Sequence, residues 1–180
     1  MIEPNQLSDF WITSDLWLGR TQILQIAKRH QWADIEEMNA AIVDSWNKSV
    51  GPDDYVICLG NFAWDPLTAR RALDSLNGSI YFMLGNSDQA LLEVYQEFDN
   101  VNVIENSILT VPAHDIVLSH YPLAMWPGQD SGIIHLHGHA VYSHLTNLAT
   151  QKRFNMCSDH WGYSPIKLST LKDLVNDFEK

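Results

Sequence analysis

Residues 80–88 read Ile-Tyr-Phe-Met-Leu-Gly-Asn-Ser-Asp, an apolar run that stops at a glycine and gives way to polar side chains. A short apolar run bounded by a turn residue is typical of a buried β-strand. Similar runs occur at 10–13, 55–59, 108–111, 116–118 and 133–136. We therefore predict a protein built on buried strands, with polar groups where the strands end.

Helical patterns separate these strands. Asp34 and Glu37 form a predicted capping box, and Asp65-Pro66 begins a second helix that Asn77-Gly78 ends. A last amphipathic helix is predicted from Ser169 onward. Helices alternate with strands in the first half, whereas strands follow one another closely in the second. This order predicts an α/β fold with a mixed sheet arrangement, and because no linker interrupts residues 1–180 we predict a single domain.

The chain carries 22 acidic and 11 basic residues and a formal net charge of −11. This balance argues against a nucleic-acid partner, because such proteins use clustered basic residues to neutralise phosphates. No apolar run approaches the roughly 18 residues of a membrane helix, and the first residues carry no secretory pattern. Cys58 and Cys157 lack the spacing of a thiolate metal site. We predict a cytoplasmic protein without membrane association.

The residues that follow the strands are the informative ones, because chemistry in α/β folds collects at the carboxyl ends of strands. They read Ser-Asp-Leu-Trp at 14–17, Gly-Asn-Phe at 60–62, Gly-Asn-Ser-Asp at 85–88, Ser-His-Tyr-Pro at 119–122 and His-Gly-His-Ala-Val at 137–141. In this order they resemble the five motifs of the calcineurin-like metallophosphoesterases, which are Asp-x-His, Gly-Asp, Gly-Asn-His-Asp, a lone His, and Gly-His-x-His. The resemblance covers nearly the whole chain and implies a sandwich of two mixed β-sheets flanked by helices.

In enzymes of that family two divalent cations about 3.5 to 4 Å apart polarise the phosphate and activate a bridging water. The resemblance places Asp15 at the first metal and Asn61 at the bridging position. It places Asn86, His120 and His139 at the second metal. These are the predicted metal-site residues.

Four positions depart from the family pattern. Trp17 and Val141 stand where the family has the two imidazoles of the first metal, and Asn61 replaces the bridging aspartate. A neutral amide supplies no negative charge between two cations. Ser87 stands at the position of the family's catalytic His, and a serine hydroxyl is not an acid near neutral pH. The departures indicate a decayed two-metal centre.

The remaining second-site side chains are all uncharged, and Asp15 is the nearby carboxylate. A hard dication prefers carboxylate oxygens, whereas an imidazole-tolerant ion binds such a set weakly. We expect no metal, or a single weakly bound Zn²⁺, Ni²⁺ or Mn²⁺.

The pocket residues predicted around this site are Trp17, Arg20, Asp88 and Val141. Trp17 and Val141 are expected to fill volume that a metal has vacated, and Arg20 to return positive charge beside Asp15. Asp88 is expected to orient its loop by hydrogen bonding.

The other histidines are expected to be structural. His135 and His137 alternate with His139 along one strand and are predicted neighbours of the site rather than ligands. His144 is a weaker candidate for a substitute ligand. The others are expected on the surface or in packing, and they are His30, His114 and His160.

Three functions remain open from the sequence. The first is an inactive or severely impaired phosphoesterase-fold protein that binds a protein partner or a phosphorylated small molecule. The second is a phosphomonoesterase or phosphodiesterase that uses a single metal at the residual second site, with Asp15 or Asp88 positioning water. The third is a structural or assembly component that buries an aromatic-rich face. The candidate residues for such a face are Trp11, Trp17, Trp64 and Trp126.

Overall fold

The computed structural model describes residues 4–26, 29–141 and 152–178. Within these ranges the strands are β1 (Trp11–Thr13), β2 (Tyr55–Cys58), β3 (Ser79–Met83), β4 (Val101–Ile104), β5 (Ile108–Val111), β6 (Ile116–Ser119), β7 (Ile134–His137), β8 (Arg153–Asn155) and β9 (Ile166–Lys167). The α-helices are α1 (Ile35–Ser49), α2 (Pro66–Ser75), α3 (Gln89–Leu92) and α4 (Leu168–Phe178). Short 3₁₀ turns connect several of these elements.

The strands form two mixed sheets. The five-stranded sheet has the order β4-β3-β2-β1-β9, in which β1 to β4 run parallel and β9 runs antiparallel to β1. The four-stranded sheet has the order β5-β6-β7-β8, in which only β5 is antiparallel to its neighbour. The predicted α/β sandwich of two mixed sheets is confirmed.

The core has two layers, which follow from the alternation of side chains along each strand. Ile57 and Leu59 on β2 and its end pack between the sheets, against residues such as Leu118 and Leu136. Val56 and Cys58 point to the other face of the five-stranded sheet. There they pack with apolar residues of the first two helices, including Met38, Ile42, Trp46, Ala69 and Leu73. Strand β2 is therefore buried on both faces, as its continuous apolar run predicts.

The helix starts are confirmed where the sequence predicts them. The Asp34 carboxylate accepts a hydrogen bond from the Glu37 backbone N–H at 2.8 Å, and Glu37 Oε2 accepts one from the Ala33 N–H at 2.7 Å. The Asp65 carboxylate caps α2 by accepting from the Thr68 N–H at 2.9 Å. Such caps satisfy N–H groups that have no partner within the helix.

Three strands of the described residues were absent from the sequence prediction. They are β4, β8 and β9, with sequences Val-Asn-Val-Ile, Arg-Phe-Asn and Ile-Lys. Each is short or mixed in polarity and has no strand pattern of its own. It becomes a strand because its backbone forms hydrogen bonds with a neighbouring strand. Among the helices in the described ranges, none is both long and apolar enough to cross a membrane.

Candidate functional site

The carboxyl ends of six parallel strands meet at one edge of the molecule. They belong to β1, β2 and β3 in one sheet and to β6, β7 and β8 in the other. A parallel bridge between Ser14 and Cys157 joins the two sheets at this edge. The polar segments that the sequence places after the strands are therefore brought together.

The backbone at this edge takes uncommon conformations. Positive φ angles of 55° to 63° occur at four non-glycine residues, which are Asp15, Trp17, Asn61 and His139. Such conformations persist only where the surroundings enforce them, and they often mark functional loops. A Cβ atom added to Gly85 would lie 2.7 Å from both Asn61 Oδ1 and His120 Cε1. The loops thus pack against each other as closely as glycine permits.

Asp15 is fully buried and its carboxylate is saturated. Oδ1 accepts a hydrogen bond from Asn61 Nδ2 at 2.9 Å. Oδ2 accepts from Ser14 Oγ at 2.6 Å, from the His139 backbone N–H at 2.7 Å and from Cys157 Sγ at 3.0 Å. Burial, together with the Asp15 charge, raises the pKa of the Cys157 thiol, so this thiol keeps its proton and donates. The carboxylate therefore acts as an acceptor for the surrounding loops.

The Asn61 side chain has its orientation set by a neighbour. Its Oδ1 accepts a hydrogen bond from the Ser87 backbone N–H at 3.1 Å, so Nδ2 faces the opposite way. Nδ2 lies 2.9 Å from Asp15 Oδ1 and 3.3 Å from both Asn86 Oδ1 and His120 Nε2. If the amide were flipped, its NH₂ group would face the Ser87 backbone N–H, and two donors would oppose each other. Asn61 therefore offers a hydrogen-bond donor between Asp15 and the histidines.

Asn86, His120 and His139 converge, and we call these three residues the histidine cluster. Asn86 Oδ1 lies 3.0 Å from His120 Nε2 and 3.0 Å from His139 Nδ1, and the two ring nitrogens are 3.2 Å apart. His120 Nδ1 donates to the Leu59 carbonyl at 2.6 Å, which leaves a lone pair on Nε2. Burial, and secondarily the neighbouring His120, lower the pKa of His139. This favours the neutral form of the His139 ring.

The cluster satisfies itself through hydrogen bonds. One N–H of Asn61 goes to Asp15, which leaves the second for Asn86 Oδ1 or His120 Nε2. If the His139 proton is on Nδ1, this N–H donates to whichever of these two acceptors Asn61 leaves unpaired. Two donors thus meet two acceptors, so every polar atom facing the centre has a partner.

The same three atoms also fit one metal ion. Adjacent ligands of an octahedral ion bound at about 2.0 to 2.1 Å are roughly 2.9 to 3.0 Å apart. The cluster's edges of 3.0, 3.0 and 3.2 Å are close to this spacing. Two imidazoles with an amide oxygen suit Zn²⁺, Ni²⁺ or Mn²⁺ better than Ca²⁺.

An amide nitrogen, and no carboxylate, lies between Asp15 and the histidine cluster. Across the described parts of the chain, no group of three or more His, Cys, Asp or Glu side chains converges on a metal position. The atom between Asp15 and the histidine cluster is the Asn61 amide nitrogen, which carries no lone pair for a metal. The aromatic Trp17 and aliphatic Val141 line the cavity beside Asp15.

Asp88 does not line this cavity, contrary to the pocket prediction. Its Oδ1 accepts from the Phe62 N–H at 2.8 Å, and its Oδ2 accepts from the N–H groups of Asn61 at 2.8 Å and Gly85 at 2.6 Å. The carboxylate thus ties the loop after β2 to the loop after β3. This is the loop-orienting contact expected of Asp88, and it leaves no free oxygen for positioning water.

The other predicted pocket residues, Trp17, Arg20 and Val141, do line the cavity, whose volume is about 350 Å³. Arg20 is not bonded to Asp15. Its guanidinium carbon lies 4.2 Å from the ring centre of Trp17 and 4.8 Å from that of Trp64. We call Trp17, Arg20 and Trp64 the aromatic corner. Arg20 lines the cavity together with Asp15, where we expect it to bring positive charge. It forms no ion pair with this carboxylate, whose oxygens accept hydrogen bonds from other groups.

His135 and His137 lie behind the site, buried on β7. His135 Nε2 lies 2.8 Å from Ser119 Oγ, and His137 Nδ1 donates to the Gly138 carbonyl at 2.8 Å. Burial is the main cause that lowers the pKa of His135 to about 3 and that of His137 to about 4. Both are neutral near pH 7. His144 lies outside the described residues.

Sequence reasoning missed the buried ion pair of Arg29 with Asp159. Arg29 Nε and Nη2 donate to the two carboxylate oxygens at 2.9 and 2.7 Å. The guanidinium also donates to the carbonyls of Leu16 at 2.5 Å and Asp15 at 2.6 Å. It thereby holds the turn on which Asp15 and Trp17 sit. The two residues are 130 positions apart in the chain, so no local sequence pattern predicts that they form an ion pair.

The comparisons extend along almost the whole chain. No family model matches it. Gene 66 protein of Mycobacterium phage L5 is 27% identical over 202 aligned positions, covering 94% of this chain and 95% of that protein. An uncharacterized protein of Methanocaldococcus jannaschii is 27% identical over 172 positions, covering 92% and 90%.

A crystal structure of a protein of unknown function from Aquifex aeolicus superposes with a TM-score of 0.68 at 18% identity, covering 92% of this chain and 98% of that one. This likeness shows a shared fold. The site residues have to be interpreted from their own geometry.

Proposed function

We propose that this chain is a calcineurin-like phosphoesterase-fold protein whose two-metal centre has decayed, and that it acts by binding a partner or a phosphorylated ligand rather than by hydrolysis. The orientation of the Asn61 amide carries the proposal. Its nitrogen donates to Asp15 and faces the histidine cluster, at the place where a shared carboxylate would be needed. A hydrogen-bonded link thus stands in for a metal bridge. The two free, buried cysteines agree with a cytoplasmic location.

Electrostatics support the loss of the metal pair. Two dications about 4 Å apart repel each other strongly unless carboxylates offset their charge. Asp15 is the single carboxylate among the residues that line the cavity, and each of its oxygens already accepts hydrogen bonds. Ser87 Oγ, which accepts from Asn86 Nδ2 at 3.1 Å, has no acidic proton for a leaving group. The cavity lining therefore offers neither the second carboxylate that a pair of cations requires nor, at Ser87, a general acid for the leaving group.

Elemental analysis and an ester assay test this proposal. We expect the purified protein to hold no more than a single divalent ion per chain and to leave an aryl phosphate and an aryl phosphodiester uncleaved with Mn²⁺, Ni²⁺ or Zn²⁺. The combined variant Trp17→His, Asn61→Asp, Ser87→His and Val141→His should bind a second ion. Two ions per native chain, with turnover that His120→Ala abolishes, would overturn the proposal.

A second candidate is a hydrolase that uses one metal. The near-equilateral triangle of Asn86 Oδ1, His120 Nε2 and His139 Nδ1 favours it. A single divalent ion held there would polarise a phosphoryl oxygen. In this case, native activity follows one equivalent of metal and disappears in His139→Ala. Tyr121→Phe keeps the ring that lies 4.5 Å from His139, so it serves as the control.

A further inference from the structure

Arg20 is a cation whose hydrogen-bonding groups are left open. Its guanidinium has five N–H donors, yet no acidic residue in the described part of the chain forms an ion pair with it. Its Nε is shielded from solvent and has no hydrogen-bond partner. A guanidinium normally uses such donors on carboxylate or phosphate oxygens. The group is therefore placed for an anion that the chain itself does not supply.

The aromatic corner holds this cation in place without using its donors. Arg20 contacts the rings of Trp17 and Trp64 through their faces, 4.2 and 4.8 Å from the ring centres. Such cation–π contacts fix the guanidinium by attraction to the ring and leave its N–H edges free. Trp17 is only 7% exposed, so it is a rigid support, whereas Trp64 is 50% exposed and presents ring surface to the solvent. The corner is thus a preorganised cationic group beside an open aromatic face.

The other cavity walls favour an anion with an apolar part. Ile23, Ile26 and Val141 line the same cavity as the aromatic corner. Ser87 also lines it, and its hydroxyl accepts from Asn86, which leaves the hydroxyl proton for another acceptor. The cavity lining holds one carboxylate, Asp15, whose oxygens already accept hydrogen bonds, and one guanidinium, that of Arg20. Of these two charged groups, Arg20 is the one available to a ligand of opposite charge.

We propose that this cavity binds, without a metal, a small organic oxyanion in which a phosphate or carboxylate is attached to a flat apolar group. Arg20 binds the oxyanion, Ser87 adds a hydroxyl donor, and Trp64 with the aliphatic wall covers the apolar part. The volume of about 350 Å³ lies at the small end of ligand cavities and suits a small molecule. This inference rests on the binding half of the proposed function and names the class of ligand.

Calorimetric titration in excess EDTA tests the site with phenyl phosphate, benzoate and phenol as probes. We expect one or both anions to bind and phenol not to bind. Binding of phenyl phosphate alone identifies a phosphate site, and binding of benzoate alone identifies a carboxylate site. If neither anion binds, or if binding appears only when EDTA is omitted, the proposal is overturned.

Charge-matched variants locate the binding. Arg20→Gln should weaken binding of the anion by at least about tenfold, because a charge-assisted hydrogen bond is lost. Arg71→Gln removes the same charge from an exposed position on α2 and should change it less than about twofold. Arg20→Lys keeps the positive charge but loses the planar guanidinium that can donate two parallel hydrogen bonds, so it should give an intermediate affinity. Equal affinities in the Arg20 and Arg71 variants would overturn the proposal.

The two proposals fail in different ways. Native turnover with two ions per chain removes the proposed function, while EDTA-resistant binding through Arg20 would remain. Absence of anion binding in EDTA, with a metal-poor and inactive protein, removes the ligand class and leaves the decayed centre. Thermal melting of each variant verifies that it is folded before its titration is interpreted.

Discussion

The histidine cluster and the aromatic corner lie at the same sheet edge, on loops that follow parallel strands, yet they differ in chemistry. In the cluster, three neutral polar atoms approach within 3.0 to 3.2 Å of one another. In the corner, a cation rests on two aromatic rings, and its buried Nε has no hydrogen-bond partner. Asn61 Nδ2 donates to Asp15 and faces the histidine cluster. Loops of one scaffold thus hold a group of polar ring and amide atoms beside a cation on aromatic rings.

Their supports differ as well. Behind the corner, the Arg29 and Asp159 ion pair grips the backbone of Asp15 and Leu16. Behind the cluster lie the neutral, buried His135 and His137. The backbone of the corner is therefore held by a buried ion pair, whereas the cluster packs against buried histidines that carry no charge near pH 7. The following predictions separate these two dependencies.

The largest loss of stability is expected from Asp159→Asn. This change leaves the fully buried Arg29 guanidinium without its counter-ion, which costs about 3 to 5 kcal/mol of unfolding free energy. Urea unfolding at neutral pH measures it. The control is Glu97→Gln in the exposed pair with Arg70, which should barely move the urea midpoint. Equal effects of the two changes would contradict the importance of the buried pair.

Asn61→Asp should cost somewhat less, about 2 to 4 kcal/mol in EDTA. The change places a second carboxylate oxygen where Nδ2 now lies, 2.9 Å from Asp15 Oδ1, in a site that excludes water. Saturating Mn²⁺ should recover part of the loss, because the new carboxylate is a metal ligand. Asn106→Asp adds the same charge at an exposed loop position and should change little. A stable Asn61→Asp protein in EDTA would contradict the importance of this hydrogen bond to the folded state.

Gly85→Ala should cost about 1 to 3 kcal/mol through overpacking. The added Cβ would lie 2.7 Å from Asn61 Oδ1 and from His120 Cε1, so the histidine cluster must shift. Gly51→Ala is the control, since its Cβ would meet its nearest atom at an ordinary 3.5 Å. Metal titration should show weaker binding in Gly85→Ala, while anion binding by Arg20 is retained. Loss of both would show that the cluster and the corner do not respond independently.

The smallest effect, over the interval from pH 7 to pH 5.5, is a pH dependence that arises behind the cluster. Burial lowers the pKa of His135 to about 3 in the folded protein, against 6.5 for an unperturbed histidine. Above pH 6.5 both states are neutral, whereas at lower pH the unfolded state binds the extra proton. The folded state therefore loses about 1.4 kcal/mol per pH unit as the pH falls from 6.5 towards 3.

Urea unfolding at pH 7 and at pH 5.5 measures this slope. His135→Gln should reduce the slope by about one histidine's contribution, whatever its effect on stability at neutral pH. His30→Gln, which alters an exposed histidine, should leave the slope unchanged. A slope that stays the same in His135→Gln would contradict the assignment of His135 as a buried neutral group.

The local parts of the fold were predictable because their causes are local. The caps at Asp34 and Asp65 act on N–H groups three residues away, and the strand of residues 55–58 is an uninterrupted apolar run. The predicted ligand atoms of Asn86, His120 and His139 also meet, because parallel strands end at one edge. Strand β9 escaped prediction because two residues carry no period of their own.

The sequence by itself determined which chemical groups stand at the strand ends, including the amide at position 61, the indole at position 17 and the cation at position 20. Only the tertiary structure decided what those groups do. The Ser87 N–H orients the Asn61 amide, and two tryptophans separated by 47 positions contact the Arg20 guanidinium. Such choices depend on atoms that are distant in the chain and meet only after folding. Hydrogen bonds and ring contacts act within a few ångströms, so sequence patterns do not reveal them.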